Sequence, residues 1–160
     1  MTYRVGVMTG PLPVFVRLAA PAERPALEAL QRRASLANPG DREAILAHPD
    51  AIGLPLSQIA AGDVLVAEQE GAILGFAAVL QRPDGDAELD ALFVDPALWK
   101  RGVGRLLVDR CAAMAQQRGS RILHVVGNPH AEGFYGACGF RTTGTVQTLF
   151  GVGLSMQREV

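Results

Sequence analysis

Residues 100 to 105, "KRGVGR", place Gly102 and Gly104 among Lys100, Arg101 and Arg105, directly before an apolar helical pattern and directly after a strand-like run, "LFVDP". A helix that starts near Gly102 leaves its first backbone N–H groups without intrahelical acceptors. The glycines allow close approach, the cations add positive charge, and the helix dipole favours an anion at the same end. Together these have the design of a cradle for a pyrophosphate, with Val103 between the glycines as part of the same loop, although Gly-x-Gly alone reads equally as an ordinary helix start with a solvated basic turn. Upstream, Glu88 and Asp90 stand at i and i+2 of a strand, so they are expected to share one face, which Leu92 and Val94 continue. Acidic residues at the exposed end of a strand are also ordinary. Downstream, Tyr135 lies in "AEGFYGACGF", where it also reads as an aromatic packing beside Phe134 and Phe140.

Two nucleotide motifs can be set aside. A dinucleotide fingerprint needs a third glycine where Leu107 stands, and a phosphate-binding loop needs Gly-Lys-Ser/Thr after its spacers. His48, His124 and His130 are expected to serve structure, with His130 near the start of a short helix. No His, Cys or carboxylate pair shows zinc spacing, so no metal is expected.

The elements that must hold these residues follow from periodicity. "VFVRLA" (14 to 19) predicts a strand, and "PAERPALEALQRRASLA" a first helix. "DREAILAH" predicts a second short helix with Asp41 as its cap, followed by a loop marked by Pro49, Gly53 and Pro55. "DVLVAEQ", "AILGFAAVLQ" and "AELDALFVD" predict an antiparallel meander, turning at Glu70-Gly71 and at residues 83 to 86. A helix over 102 to 118 stops at Gly119, "RILHVVG" is the next strand, "AEGFYGACGF" a short helix, and "RTTGTVQ" with "GVGLSMQ" a last strand pair. The edge near 145 to 157 offers a place for a second copy to pair.

Composition narrows the function classes. The 160 residues fit a single domain, and 49% hydrophobic against 19% charged residues describes a folded chain. A net charge of −1 provides no global field for a nucleic-acid backbone, so an anion site has to be local. Gly10, Pro11 and Pro13 break the apolar core a secretory signal requires, and residues 1 to 13 are expected to be a flexible or edge segment. No apolar stretch reaches the roughly 20 residues of a membrane span. The two cysteines, Cys111 and Cys138, read as reduced packing residues of a cytoplasmic protein.

The segments "ELDALFVDPALWKRGVGRLLVDR" and "NPHAEGFYGACGF" resemble the GNAT superfamily of acetyl-CoA-dependent N-acetyltransferases, over residues 62 to 158. The resemblance implies an α/β (α+β) fold with a mostly antiparallel sheet of about six or seven strands and about four helices. It implies acetyl-CoA as co-substrate and no metal. The family signature, Arg or Gln followed by x-x-Gly-x-Gly/Ala, falls on Trp99 to Gly104, with Trp99 in the usual polar position. By this likeness the amides from Arg101 to Arg105 hold the coenzyme pyrophosphate. The backbone of Leu92, Phe93 and Val94 pairs with the pantetheine arm, and Asn128 and Phe134 lie along the same arm.

Tyr135 matches the family's general acid, and a phenol of pKa roughly 10 can protonate a leaving thiolate of roughly 8.5. Glu88 stands at the spacing before Trp99 that matches the base of the histone-acetylating members, and Asp90 is the expected contact for the substrate ammonium. The implied activity is transfer of an acetyl group to the primary amine of a small molecule or peptide. The alternative is an acyl-CoA-binding module without catalysis.

Overall fold

The computed structural model describes residues 13–160. The expectation for residues 1 to 13 therefore lies outside the described residues except at Pro13. Alternating apolar residues and tight turns make the centre of the fold a meander of β2 (Val64–Gln69), β3 (Ala72–Gln81) and β4 (Ala87–Val94). Glu70 and Gly71 join β2 to β3 with φ of 50° and 78°, the left-handed pair that a two-residue hairpin requires. The next turn is held by Asp84, whose Oδ1 accepts from the Asp86 N–H at 2.9 Å, and by Gly85 at φ 90°.

β1 (Phe15–Leu18) closes one edge, with Arg17 donating to Glu23 and Glu68, both at 2.7 Å. On the other side come β5 (Ile122–Gly127), β7 (Gly151–Glu159) and β6 (Arg141–Thr148), in the order β1-β2-β3-β4-β5-β7-β6. Every pairing is antiparallel except β4 with β5. The open edge at this end is β6, since β7 lies between β5 and β6, so the free pairing edge is 141–148 rather than 145 to 157.

The sheet separates two apolar layers. One packs under α4 (Val103–Gln117), whose Leu107, Val108 and Cys111 meet Leu65, Ala77, Val79 and Leu123. The other packs under α1 (Arg24–Ala37) and α3 (Leu56–Ala60) and contains Leu27, Leu30, Ile59, Val64, Val66 and Phe76. Strand alternation decides the assignment: in β2, Val64 and Val66 face α1 while Leu65 and Ala67 face α4. α2 is Arg42–Ala47 and α5 is Glu132–Ala137, giving five helices with α3. α3 is one turn following Pro55, where a loop was predicted; five residues carry too little periodicity to show, and buried Ile59 anchors it.

One irregularity controls the rest. Ala78 pairs with Ala91 and Val79 with Leu89, so Asp90 is an extra residue in β4. The bulge inverts the alternation. Before it, Ala87 and Leu89 join the α4 layer; after it, Leu92 and Val94 do so, and Ala91 and Phe93 turn toward α1. Glu88 therefore lies on the face opposite Leu92 and Val94, which corrects the expectation that the four residues share one. The bulge also coincides with the end of the β4–β5 ladder, which pairs Ala87, Glu88 and Leu89 with Leu123, His124 and Val125 and goes no further. Beyond Leu89 the two strands part.

Gly75 shows how closely the parted strand is held from its other side. A Cβ there would lie 2.7 Å from the Phe93 carbonyl oxygen and 3.3 Å from Leu107 Cδ1. Gly75→Ala is expected to destabilise the protein by about 1–3 kcal/mol, read from urea unfolding at constant m-value.

Candidate active site

At the end of β4 the chain turns through Pro96–Leu98, with Asp95 Oδ1 accepting from the Ala97 N–H at 3.0 Å. Lys100 and Gly102 then both take left-handed backbone, φ 64° and 88°, and Gly102 becomes the N-cap of α4. Gly102 is a glycine for its dihedral, because a Cβ there would meet nothing within 4 Å. Gly104 is a glycine for space, because a Cβ would lie 3.1 Å from the Phe134 ring. The first intrahelical bond runs from the Leu106 N–H to the Gly102 carbonyl, so the N–H groups of Val103, Gly104 and Arg105 open outward at the positive end of a 15-residue helix. Lys100, Arg101 and Arg105 are exposed and form no ion pair among the described residues.

The parted edge of β4 leads to this helix end. The Asp95 N–H donates to the Leu74 carbonyl, and antiparallel alternation then turns the backbone groups of Phe93 and Ala91 toward β3 and those of Leu92 and Val94 toward the open side. Trp99 Nε1 donates to the Val94 carbonyl at 2.9 Å. The edge is left with the Leu92 N–H and C=O and the Val94 N–H. Phe93, expected to share this pairing, instead stacks its ring on Phe76 with centroids 5.6 Å apart.

Tyr135, on α5, packs edge-on against Phe134 at 5.1 Å and Phe140 at 5.5 Å. It also packs against the β5 end, where a Cβ on Gly127 would lie 3.0 Å from its ring. Burial raises its pKa well above the ordinary phenol value, and the charges of Cys138 and Asp41 add to that, so the hydroxyl is protonated at neutral pH. Asn128 uses both ends of its amide: Oδ1 accepts from the His130 N–H at 2.9 Å, and Nδ2 donates to Asp41 Oδ1 at 3.0 Å. Asp41 was predicted as a helix cap, yet its side chain makes no capping bond. Its carboxylate turns instead to Asn128, which packs tightly on the Gly40 backbone.

Glu88 is partly buried on the α1 face, between Leu80 of β3 and His124 of β5. Asp90, in the bulge, is exposed and accepts from Gln58 Nε2 of α3 at 3.4 Å. His124 bonds Asp86 at 2.9 Å, and the ligand atoms of Asp84, Asp86 and His124 lie within 4.8 Å of one another, a proximity the chain spacing conceals. His48 ends α2 and is exposed.

The cradle of α4, the open edge of β4 and the Tyr135–Asn128 cluster thus converge on the gap between β4 and β5. On the α1 side the gap continues into a cleft of about 500 Å³ bounded by Asp41, Asn128, Phe150 and Val152.

A family model described as Acetyltransferase (GNAT) family matches residues 28–140. The chain belongs to the GNAT acetyltransferase family. Its GNAT sheet, seven strands parting between β4 and β5, superposes on solved structures of the same fold. Among these is the PaiA N-acetyltransferase of Thermoplasma acidophilum in complex with coenzyme A, at TM-score 0.76 and 16% identity over 93% of this chain and 100% of that one. Another is YncA of Salmonella typhimurium with acetyl-CoA, at TM-score 0.70 and 20% identity, covering 92% of this chain and 94% of that one. In sequence, 56 residues are 41% identical to the peptidyl-lysine N-acetyltransferase YjaB of Escherichia coli K12; they make up 35% of this chain and span only 37% of that protein. Among the described residues no helix is long and apolar enough to cross a membrane.

Burial of protonated groups beside the site sets an alkaline limit on the fold. Cys111 is pushed up from 9.0 to about 12 by burial, and Tyr135 is raised as well. Both thus keep their protons in the folded state at pH values where the unfolded chain has lost them, and stability falls as pH rises above about 9. The urea midpoint should be flat from neutral pH to about 8.5 and decline beyond it. Cys138 is raised from 9.0 by burial as well, so Cys111→Ala should leave the onset near pH 9 but make the decline shallower, and a wild-type midpoint flat through about pH 11 would contradict the assignment.

Proposed function

We propose that the protein transfers the acetyl group of acetyl-CoA directly to a primary amine, using the gap between β4 and β5. The observation that carries this reading is the meeting of the α4 N-terminus, with its free amides and unpaired cations, and the unpartnered β4 edge at one gap. Acetyl-CoA fits both parts: its pyrophosphate suits Val103 to Arg105 with Lys100 and Arg101 beside them, and its amide-bearing arm suits the exposed backbone groups of Leu92 and Val94. Gly104, free of a Cβ, lets the Phe134 ring close over that corner of the helix start. The bound thioester supplies an activated acyl group.

One backbone N–H of the 92 to 94 strand, left free when the arm pairs with the others, is the donor available to the carbonyl oxygen as negative charge builds. Glu88, with Asp90 nearby, takes the proton from the amine, directly or through a water. Tyr135 gives its proton to the departing sulfur; burial keeps the hydroxyl protonated at neutral pH, so the proton is in place when the carbon–sulfur bond breaks. The amine nitrogen bonds to the acyl carbon as the carbon–sulfur bond breaks, leaving an amide, a thiol and one proton. Such a route needs no metal and no covalent enzyme intermediate. A small-molecule or peptide amine is the acceptor, and the likeness to a peptidyl-lysine acetyltransferase supports an ε-amine among them. Two buried free thiols, Cys111 and Cys138, suit a cytoplasmic setting.

Tyr135→Phe is the direct test. Turnover should fall by about 10²-fold or more while affinity for coenzyme A, followed through the emission of Trp99, changes little. Trp99 is the chain's one tryptophan and sits 41% exposed at the cradle, so its emission reads that site alone. Full turnover in Tyr135→Phe would remove the acid role. Coenzyme binding with no amine-dependent thiol release in the wild type would identify a binding module instead.

A further inference from the structure

The cleft on the α1 side of the gap has a distinct chemistry. Its apolar wall is formed by Val126 of β5 and by Phe150 and Val152 of the β6–β7 hairpin, which are 46%, 41% and 54% exposed. Opposite stand Asp41, Asn128 and His130, and no lysine or arginine lines it. The Asp41 carboxylate accepts one neutral hydrogen bond, from Asn128 Nδ2 at 3.0 Å, and pairs with no cation among the described residues. A partly buried carboxylate held by an amide and left without a counter-charge is a receptor for a cation. Its position is close enough to the proposed acid for its charge to act on Tyr135.

We propose that Asp41, oriented by Asn128, anchors the acceptor ammonium, and that Val126, Phe150 and Val152 select an amine with an apolar body and a single positive charge. This rests on the acetyl-transfer reading above. A polycation is disfavoured because its further charges would lie against an apolar wall with no carboxylate to meet them. An acceptor carrying its own carboxylate next to the amine is disfavoured by repulsion from Asp41. Asp41 holds the ammonium on arrival; the ammonium then gives its proton through water to Glu88, and the neutral nitrogen bonds to the acyl carbon as the carbon–sulfur bond breaks.

The test uses the full chain, acetyl-CoA and three probes: phenethylamine, N-α-acetyl-lysine amide and spermidine. Thiol release should give kcat/KM for the two monoamines about tenfold or more above spermidine. Asp41→Asn, which keeps an oxygen for Asn128, should raise KM for both by about tenfold or more with kcat within about twofold and coenzyme affinity by Trp99 emission unchanged. Phe150→Ala should reduce kcat/KM for phenethylamine more than for the lysine amide. An unchanged KM in Asp41→Asn, or spermidine equal to the monoamines, would overturn the inference while transfer itself stands. A wild type that binds acetyl-CoA and acetylates none of the three would count against both.

Discussion

The departure of β4 from β5 after Leu89 is the constraint on which the site depends. A sheet that stayed paired would satisfy the backbone of Leu92 and Val94 internally and leave no room between its layers. The extra residue at Asp90 prevents this by adding twist to β4 at the position where the ladder stops. Parting the strands is destabilising unless β4 is secured elsewhere. β3 secures it: four consecutive pairs from Gly75 to Ala78 hold Val94 to Ala91, and the missing side chain at Gly75 lets β4 and Leu107 close in. The inverted alternation then sets Leu92 and Val94 under α4 while Glu88 looks to the other side. One inserted residue so places Leu92 and Val94 on one face of the sheet and Glu88 on the other.

Electrostatics follow the same division. With a net charge of −1 the chain has no general attraction for polyanions, and Lys100, Arg101 and Arg105 stand together where the α4 amides open outward. Several arginines elsewhere are paired in place, Arg17 with Glu23 and Glu68, Arg118 with Asp63 and Arg158 with Asp109. The Arg17 guanidinium holds Glu23 down at about 2, so that pair stays charged across the working pH range. Across the sheet, the cleft carries the opposite sign through Asp41. On the proposed reading, an anionic coenzyme and a cationic acceptor meet the gap from sides that each favour one of them.

The legible parts of the sequence were those written in local periodicity. The meander, α4 and the strand–helix handover at Asp95-Pro96 follow from two- and 3.6-residue repeats and turn chemistry, and Gly102 with Gly104 marked the cradle. The bulge was not legible, because an extra residue leaves the apolar pattern of "ELDALFV" intact and is visible only against its partner strand. α3 was hidden by its length. Asp41 was misread for a physical reason: an aspartate before an apolar helix has the composition of a cap, and only tertiary packing against Asn128 redirects its side chain. The apolar wall of the cleft escaped because Phe150 and Val152 look like ordinary hairpin residues until the hairpin is placed beside β5.

Trp99 stands where the family places Arg or Gln, and its contact gives the substitution a physical meaning. An arginine or glutamine there would bring polar donors to the cradle, whereas the indole brings one N–H and directs it to the Val94 carbonyl. That carbonyl is on the unpartnered edge, where without a strand neighbour it would compete for any donor entering the gap. With it occupied, the edge presents a smaller set, the Leu92 N–H and C=O and the Val94 N–H, which fixes the register in which an extended amide-bearing chain can pair. The indole also ties the end of β4 to the loop that forms the helix cap, so the pairing edge and the anion cradle are held at one separation. A residue that departs from the family pattern thus couples the two parts of the site that the pattern describes separately.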